Sequence, residues 1–393
     1  MYKIRHLLLG VVMTLYSIGL LTACASSDSL SRCGISQDSL SVLVDQVWAF
    51  SQSHPEGFTL DLRSMTEPSE GIAVSYASTQ NSHSRGQLRQ VITHALLHDG
   101  YVGGWFNAAD GLYYFDSTRL FHEDSLAMAL DFGRDNDQRS VFILSTATDI
   151  PVSGTVAAIV QRGTLYIGTT GDYRPLSFCE PETGDYWGFG IEVASAIAHR
   201  MGIAPTFVHT SWPTLTSDVL ADPQRFDFAI GGITITDARR ETMAMSEGYL
   251  ANGKTILCRT EDAPRFQALA DIDRPEVRVM VNPGGLNEKF AREHLMHATI
   301  IVHQQNEEIP SLIAQGTADV MITEITEAPY YVQSDSRLAA PLLDKPFTRG
   351  EIGVLMRQGQ DDLLAMVNAV IRQMKADGSL RRLHDKYGLV YAY

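Results

Sequence analysis

The sequence predicts an α/β protein preceded by a small α+β domain. From about Thr155 to Tyr393, short apolar runs alternate with amphipathic helical spacing, as in α/β domains. Pro and Gly punctuate the ends of those runs, where open α/β sheets place ligands. Between about Ser36 and Ile150, by contrast, Gly-rich half-buried strands and a hairpin signal mix with short helices. The composition agrees: 393 residues, 45% hydrophobic and 20% charged, describe a folded chain and exclude wholesale disorder or a polytopic membrane protein. With 31 Lys+Arg against 46 Asp+Glu, 31 − 46 gives −15, so no nucleic-acid partner is expected.

Residues 1–24 read as an address. Lys3, Arg5 and His6 precede an apolar run from Leu7 to Leu21, short for a membrane span and the right size for a signal segment. The run ends in Leu21-Thr22-Ala23-Cys24, which resembles the lipobox of bacterial lipoproteins. That resemblance implies lipidation of Cys24, a membrane anchor and a periplasmic location, the alternative being a cut near Ala23 or Ala25 and a soluble periplasmic protein. Residues 25–35 form a small, polar tether. Cys33, Cys179 and Cys258 then remain, with no pairing or metal motif among them.

In the segment 36–150, helices are expected over Ser39–Phe50, Gln87–His98 and Asp124–Phe132. Strands are expected over Gly57–Leu62, Gly71–Ala77, Tyr101–Phe106, Gly111–Phe115 and Ser140–Leu144. His94 and His98 lie four apart but lack a third ligand, so a solvent-facing pair is expected rather than a metal site. The role and partner of this domain are not named by its residues. Beyond it, strands are expected at Leu165–Thr169, Phe226–Ile230, Arg278–Val281 and Val320–Thr323. Helices are expected at Gly190–Met201, Leu363–Lys375 and Leu380–Tyr387.

Two local motifs stand out: Gly171-Asp172-Tyr173-Arg174-Pro175-Leu176-Ser177-Phe178 with Gly188-Phe189-Gly190-Ile191-Glu192-Val193, and Phe226–Thr236 followed by Arg239. Both resemble bacterial extracellular solute-binding proteins of the polar-amino-acid type. The resemblance implies a two-lobed periplasmic binding protein (type II) fold over 155–393. Lobe 1 then takes about 155–250 and 348–393, lobe 2 about 256–343, with crossings near Tyr249–Leu257 and Leu343–Phe347. Four further stretches resemble the cyclohexadienyl dehydratase branch of that family: Asp172-Tyr173, Thr210–Leu215, Asn252–Thr255 and Asn282–Arg292.

That branch implies dehydration and decarboxylation of prephenate to phenylpyruvate, or of arogenate to phenylalanine. Such a reaction needs cations for the carboxylates, one proton donor for the leaving hydroxyl, and no metal or organic cofactor. Glu327 falls where the dehydratases carry their general acid. Glu324 falls where amino-acid binders place the carboxylate for the ligand's ammonium group. Arg239 and Lys254 are the expected carboxylate clamps, Asn282 a substrate contact, Thr234 and Thr236 hydroxyls beside Arg239, and Trp212 and Tyr173 apolar walls. His209, His294, His297 and His303 have no metal-ligand spacing. Gly231-Gly232 departs from the family pattern and is expected to loosen or reshape the pocket. The partner is thus a small dicarboxylate or amino-acid-like molecule. The alternatives are a non-catalytic lipoprotein delivering a polar or aromatic amino acid to an ABC importer, and a sensor whose N-terminal domain binds a partner.

Overall fold

The computed structural model describes residues 36–390 and 392–393. The signal segment, Cys24, the tether and Cys33 lie outside them. Among the described residues no helix is long and apolar enough to cross a membrane, and Cys179 and Cys258 are free thiols.

The N-terminal part is a six-stranded antiparallel sheet. Its order is Phe58–Asp61, Tyr101–Asn107, Leu112–Phe121, Ile72–Ser75, Ser140–Ile143, Thr148–Pro151. Helix Gln37–Ser53 starts where the Ser36 hydroxyl accepts from Ser39 N at 3.0 Å, and it buries Leu40, Val44 and Val47 at helical spacing. Helix Arg85–Leu97 starts on a reciprocal Ser84–Gln87 capping box. Both helices close a core with Phe58, Leu60, Val102 and Phe115. The strand Thr148–Pro151 and the helix Thr155–Arg162 were not expected from the sequence.

Helix Leu126–Asp135 belongs to a different core. Leu126, Ala129 and Leu130 pack with Ile72, Val141, Ile143 and Ile150, and this cluster continues without a break into Val156, Ile159, Leu165, Ile167, Val193, Ile197, Leu363 and Val367. The boundary near residue 151 is therefore continuous core rather than a linker. Arg200 pairs with Glu123 across it and donates to Ser145 Oγ at 2.8 Å.

Lobe 1 is built on the sheet Ala204–His209, Thr164–Thr169, Phe228–Ala229, Leu355–Met356, Ala244–Met245, and lobe 2 on Thr299–Val302, Arg278–Val281, Val320–Glu324, Lys254–Arg259, Leu338–Ala339. In lobe 2 consecutive residues point to opposite faces. Ile256, Val279, Val281, Val320 and Ile322 fill one core, and Leu257, Met280 and Met321 fill another. Both faces are covered, so these strands read as continuous apolar runs. The crossing strands are Leu250–Asn252 and Gly350–Ile352, paired antiparallel. The second lies just beyond the expected Leu343–Phe347, because Phe347 N instead donates to Lys254 O at 2.7 Å, on the lobe 2 side of the crossing.

Candidate active site

The strand register creates the centre of the interlobe cleft. Lys254 opens one strand of lobe 2 and Glu324 closes its antiparallel neighbour, and the two are direct cross-strand partners. Lys254 Nζ is ion-paired with Glu324 Oε1 and donates to Asn287 Oδ1 at 2.6 Å. Asn287 Nδ2 in turn donates to Asn282 Oδ1 at 3.3 Å. From lobe 1, Tyr173 Oη donates to Glu324 Oε2, and Thr234 Oγ1 to Glu324 Oε1 at 3.4 Å. Burial alone raises the Glu324 pKa, but the charge and hydrogen bond of Lys254, with the Tyr173 hydroxyl, overcome it and hold the group below its usual value. Glu324 is thus an ionised carboxylate committed to an internal ammonium.

Tyr173, Trp212, Thr234, Arg239, Lys254, Asn282 and Glu324 line one cleft together with Gly232, Gly285, Leu286 and Asn287. The sequence reading missed Asn287, although it lies within the quoted run Asn282–Arg292. Arg239 Nη1 donates to Thr234 O at 2.5 Å. Burial lowers its pKa, partly offset by Glu324, yet a guanidinium stays charged throughout. Ionised lining groups are then Arg239, Lys254 and Glu324, 2 − 1 = +1, a balance suited to an anionic ligand.

Thr236 sits beside Arg239: its hydroxyl accepts from Arg239 N at 3.2 Å and caps the helix Asp237–Thr242 that carries the arginine, and it lines an adjoining opening that shares Thr234, Lys254 and Glu324 with the cleft. Three expectations need correction. Tyr173 and Trp212 are not purely apolar walls. Their rings meet edge-to-face at 5.7 Å and 76°, while Trp212 Nε1 donates to Asp172 Oδ1 at 3.1 Å. Gly231-Gly232 does not loosen the pocket: Gly232 has φ +97°, and a Cβ there would meet the Tyr173 ring at 2.5 Å. The glycine lets the tyrosine close over the cleft. His94 is not solvent-facing either; it is half-buried and stacked on His98 at 3.8 Å, with its nitrogens 2.9 Å from the Ser78 and Ser117 hydroxyls.

Glu327 is absent from the cleft lining. It caps the helix Ala328–Ser334 and is 0% exposed. Its carboxyl meets a hydroxyl and an amide, Thr323 Oγ1 and Asn306 Nδ2, the latter at 3.4 Å. Burial raises its pKa well above the usual carboxyl value; the Thr323 hydrogen bond opposes this, and the nearby charges of Glu324, Glu307 and Asp172 reinforce it. Two glutamates three residues apart are thus pushed in opposite directions, one below the usual carboxyl value against a lysine and one well above it by burial.

Residues 165–390 match the family model of bacterial extracellular solute-binding proteins, family 3, and the chain belongs to that family. Within it, the chain is 40% identical over 198 residues to the cyclohexadienyl dehydratase of Pseudomonas aeruginosa, covering 50% of this chain and 73% of the relative. It is also 26% identical over 234 residues to the L-cystine-binding protein TcyJ of Escherichia coli, covering 60% and 86%. Among solved structures, the ancestral amino acid-binding protein AncCDT-1, a precursor of cyclohexadienyl dehydratase, is similar at 33% identity and TM-score 0.55, covering 60% of this chain and 99% of that one.

Proposed function

We propose that this protein is a periplasmic dehydratase of prephenate, arogenate or both, held to the membrane by a lipid on Cys24. The observation that carries the reading is the split between Glu324 and Glu327. Amino-acid binding uses a cleft carboxylate to meet the ligand's ammonium; here Lys254 already occupies that carboxylate. A pair of acids pushed in opposite directions is the usual arrangement for acid–base work. Arg239 holds a substrate carboxylate, and Tyr173 and Trp212 lie against the ring. Glu327 donates its proton to the leaving hydroxyl as the C–O bond breaks. Loss of carbon dioxide then leaves an aromatic ring, with water as the other product. Glu327 meets the hydroxyl only once the ligand is seated, a common behaviour of catalytic hydrogen bonds.

The test is Glu327→Gln. General acid catalysis is typically worth about 10²–10⁴-fold, so kcat should fall by that factor while affinity for a carboxylate ligand stays within a few-fold. Turnover retained in this variant would remove Glu327 from the mechanism.

A further inference from the structure

This inference rests on the dehydratase reading. Prephenate, a dianion, plus one proton gives the phenylpyruvate monoanion, carbon dioxide and water. Each turnover therefore strips one proton from the acid, which must be recharged from bulk water. At pH 7, hydronium near ~10⁻⁷ M arriving at a diffusion-limited ~10¹⁰ M⁻¹s⁻¹ supplies at most ~10³ protons per second to an open surface group. That is the upper end of ordinary turnover numbers, about 1–10³ s⁻¹. Glu327, at 0% exposure, receives far fewer by direct collision.

A polar cluster at the seam between the lobes lies next to it. Asn306, 2% exposed, donates Nδ2 to Asp172 O at 2.9 Å and to Glu327 Oε1 at 3.4 Å. Three buried side-chain atoms, Asn306 Oδ1, Glu307 Oε1 and Tyr331 Oη, have no hydrogen-bond partner among the described residues, and Tyr331 feels the charges of both Glu307 and Glu327. Two to four polar partners are what a buried water needs. The other oxygen of Glu307 accepts from Arg174 Nε at 2.7 Å, and the Glu307 side chain is 27% exposed, so this residue itself meets bulk water. Besides Glu307, the charged and titratable groups felt by Glu327 or Tyr331 are Asp172, Glu324, Arg174, Tyr173 and Tyr330.

We propose that Glu307 recharges Glu327 with protons, acting through water held by Asn306 Oδ1, Glu307 Oε1 and Tyr331 Oη. Bulk water protonates the Glu307 carboxylate; each O–H along the water bridge breaks as the next forms; the Glu327 carboxylate accepts the proton, and Glu307 returns to its ion pair with Arg174. One proton enters and one leaves in the product water. Burial lifts Glu307 above its usual carboxyl value, with Arg174 opposing it. Glu307 is a positioning residue, since it acts through Glu327.

The experiment measures prephenate turnover by the full chain and by Glu307→Gln at low and rising concentrations of imidazole buffer. In weak buffer, kcat of E307Q should fall at least tenfold with KM unchanged, and imidazolium should restore it along a saturating curve. Arg174→Gln, which breaks the same ion pair but keeps Glu307, should show no buffer dependence. Tyr331→Phe leaves the ion pair intact and should give a smaller loss, also relieved by imidazole; this keeps the test decisive if E307Q folds poorly. Wild-type kcat in E307Q, or losses in E307Q and Y331F that imidazole does not relieve, would overturn the relay. A wild-type chain that turns over neither prephenate nor arogenate would instead overturn the dehydratase reading, and the relay with it.

Discussion

The two lobes use the same kind of five-stranded sheet but are supported differently. Lobe 1 shares one uninterrupted core with the N-terminal sheet, from Ile72 and Leu130 through Ile150 to Leu165 and Leu363. Lobe 2 carries its own two cores. It meets the rest through the crossing pair Leu250–Asn252 and Gly350–Ile352 and a polar seam in which Arg174 pairs with Glu307. The N-terminal domain is thus a brace on lobe 1 and not on lobe 2. The proposed chemistry divides the same way. Lobe 1 supplies Tyr173, Trp212 and Arg239; lobe 2 supplies Lys254, Asn282, Glu324 and Glu327, with the Lys254–Glu324 ion pair and the proposed acid both on the lobe without the brace.

The largest effect expected from this asymmetry is at the shared core. Removing residues 36–151 strips lobe 1 of part of its core and exposes Val156 and Ile159, so the remaining chain should fail to fold. The milder Ile150→Ala should cost about 2–5 kcal/mol and lower the melting of the N-terminal domain and lobe 1 together. A truncated chain that melts cooperatively at the full-length temperature would break the comparison.

The next effect belongs to lobe 2 alone. Lys254→Met leaves Glu324 buried without its cation, at a cost of about 3–5 kcal/mol. Glu324 then binds a proton in the folded state. Above its unfolded value of 4.5 the unfolded chain releases that proton while the folded one keeps it, so stability of K254M should fall as pH rises from about 4.5. Urea melts of the two chains at several pH values would show this as a slope steeper in the variant than in the parent, where the raised Glu327 already contributes one of the same sign.

The smallest effect sits in the brace. Burial, helped by the neighbouring His98 and opposed by Asp99, lowers His94 from 6.5 to about 4. Between those values the unfolded chain binds the extra proton, so the stability held above pH 6.5 drains away as pH falls toward 4. His94→Gln should flatten that part of the melting profile and leave lobe 2 unaffected.

Much of the site was legible because it lies in contiguous motifs. Lys254, Asn282, Arg239 and Tyr173 were found by the runs around them, and Arg278–Val281 was bounded to the residue because a doubly covered strand leaves an unbroken apolar stretch. The contacts of Asn306 and Thr323 with Glu327, and the charge of Glu307 near it, were missed, since nothing local marks a residue that meets another only in the fold. The same limit hid the shared core. Ile150, Val156 and Leu363 read as ordinary apolar positions, and only the fold shows that they meet. Thr148–Pro151 was missed because four residues beside a turn carry too little alternation to register as a strand.

The most direct measurement is product formation by the purified chain without residues 1–24, mixed separately with prephenate and with arogenate. Rapid appearance of phenylpyruvate, phenylalanine or both is the expected result, and the ratio of the two rates identifies the preferred substrate. Absence of either product, with the fold stabilised by a free amino acid, would contradict the dehydratase reading and return the protein to the transport branch of its family.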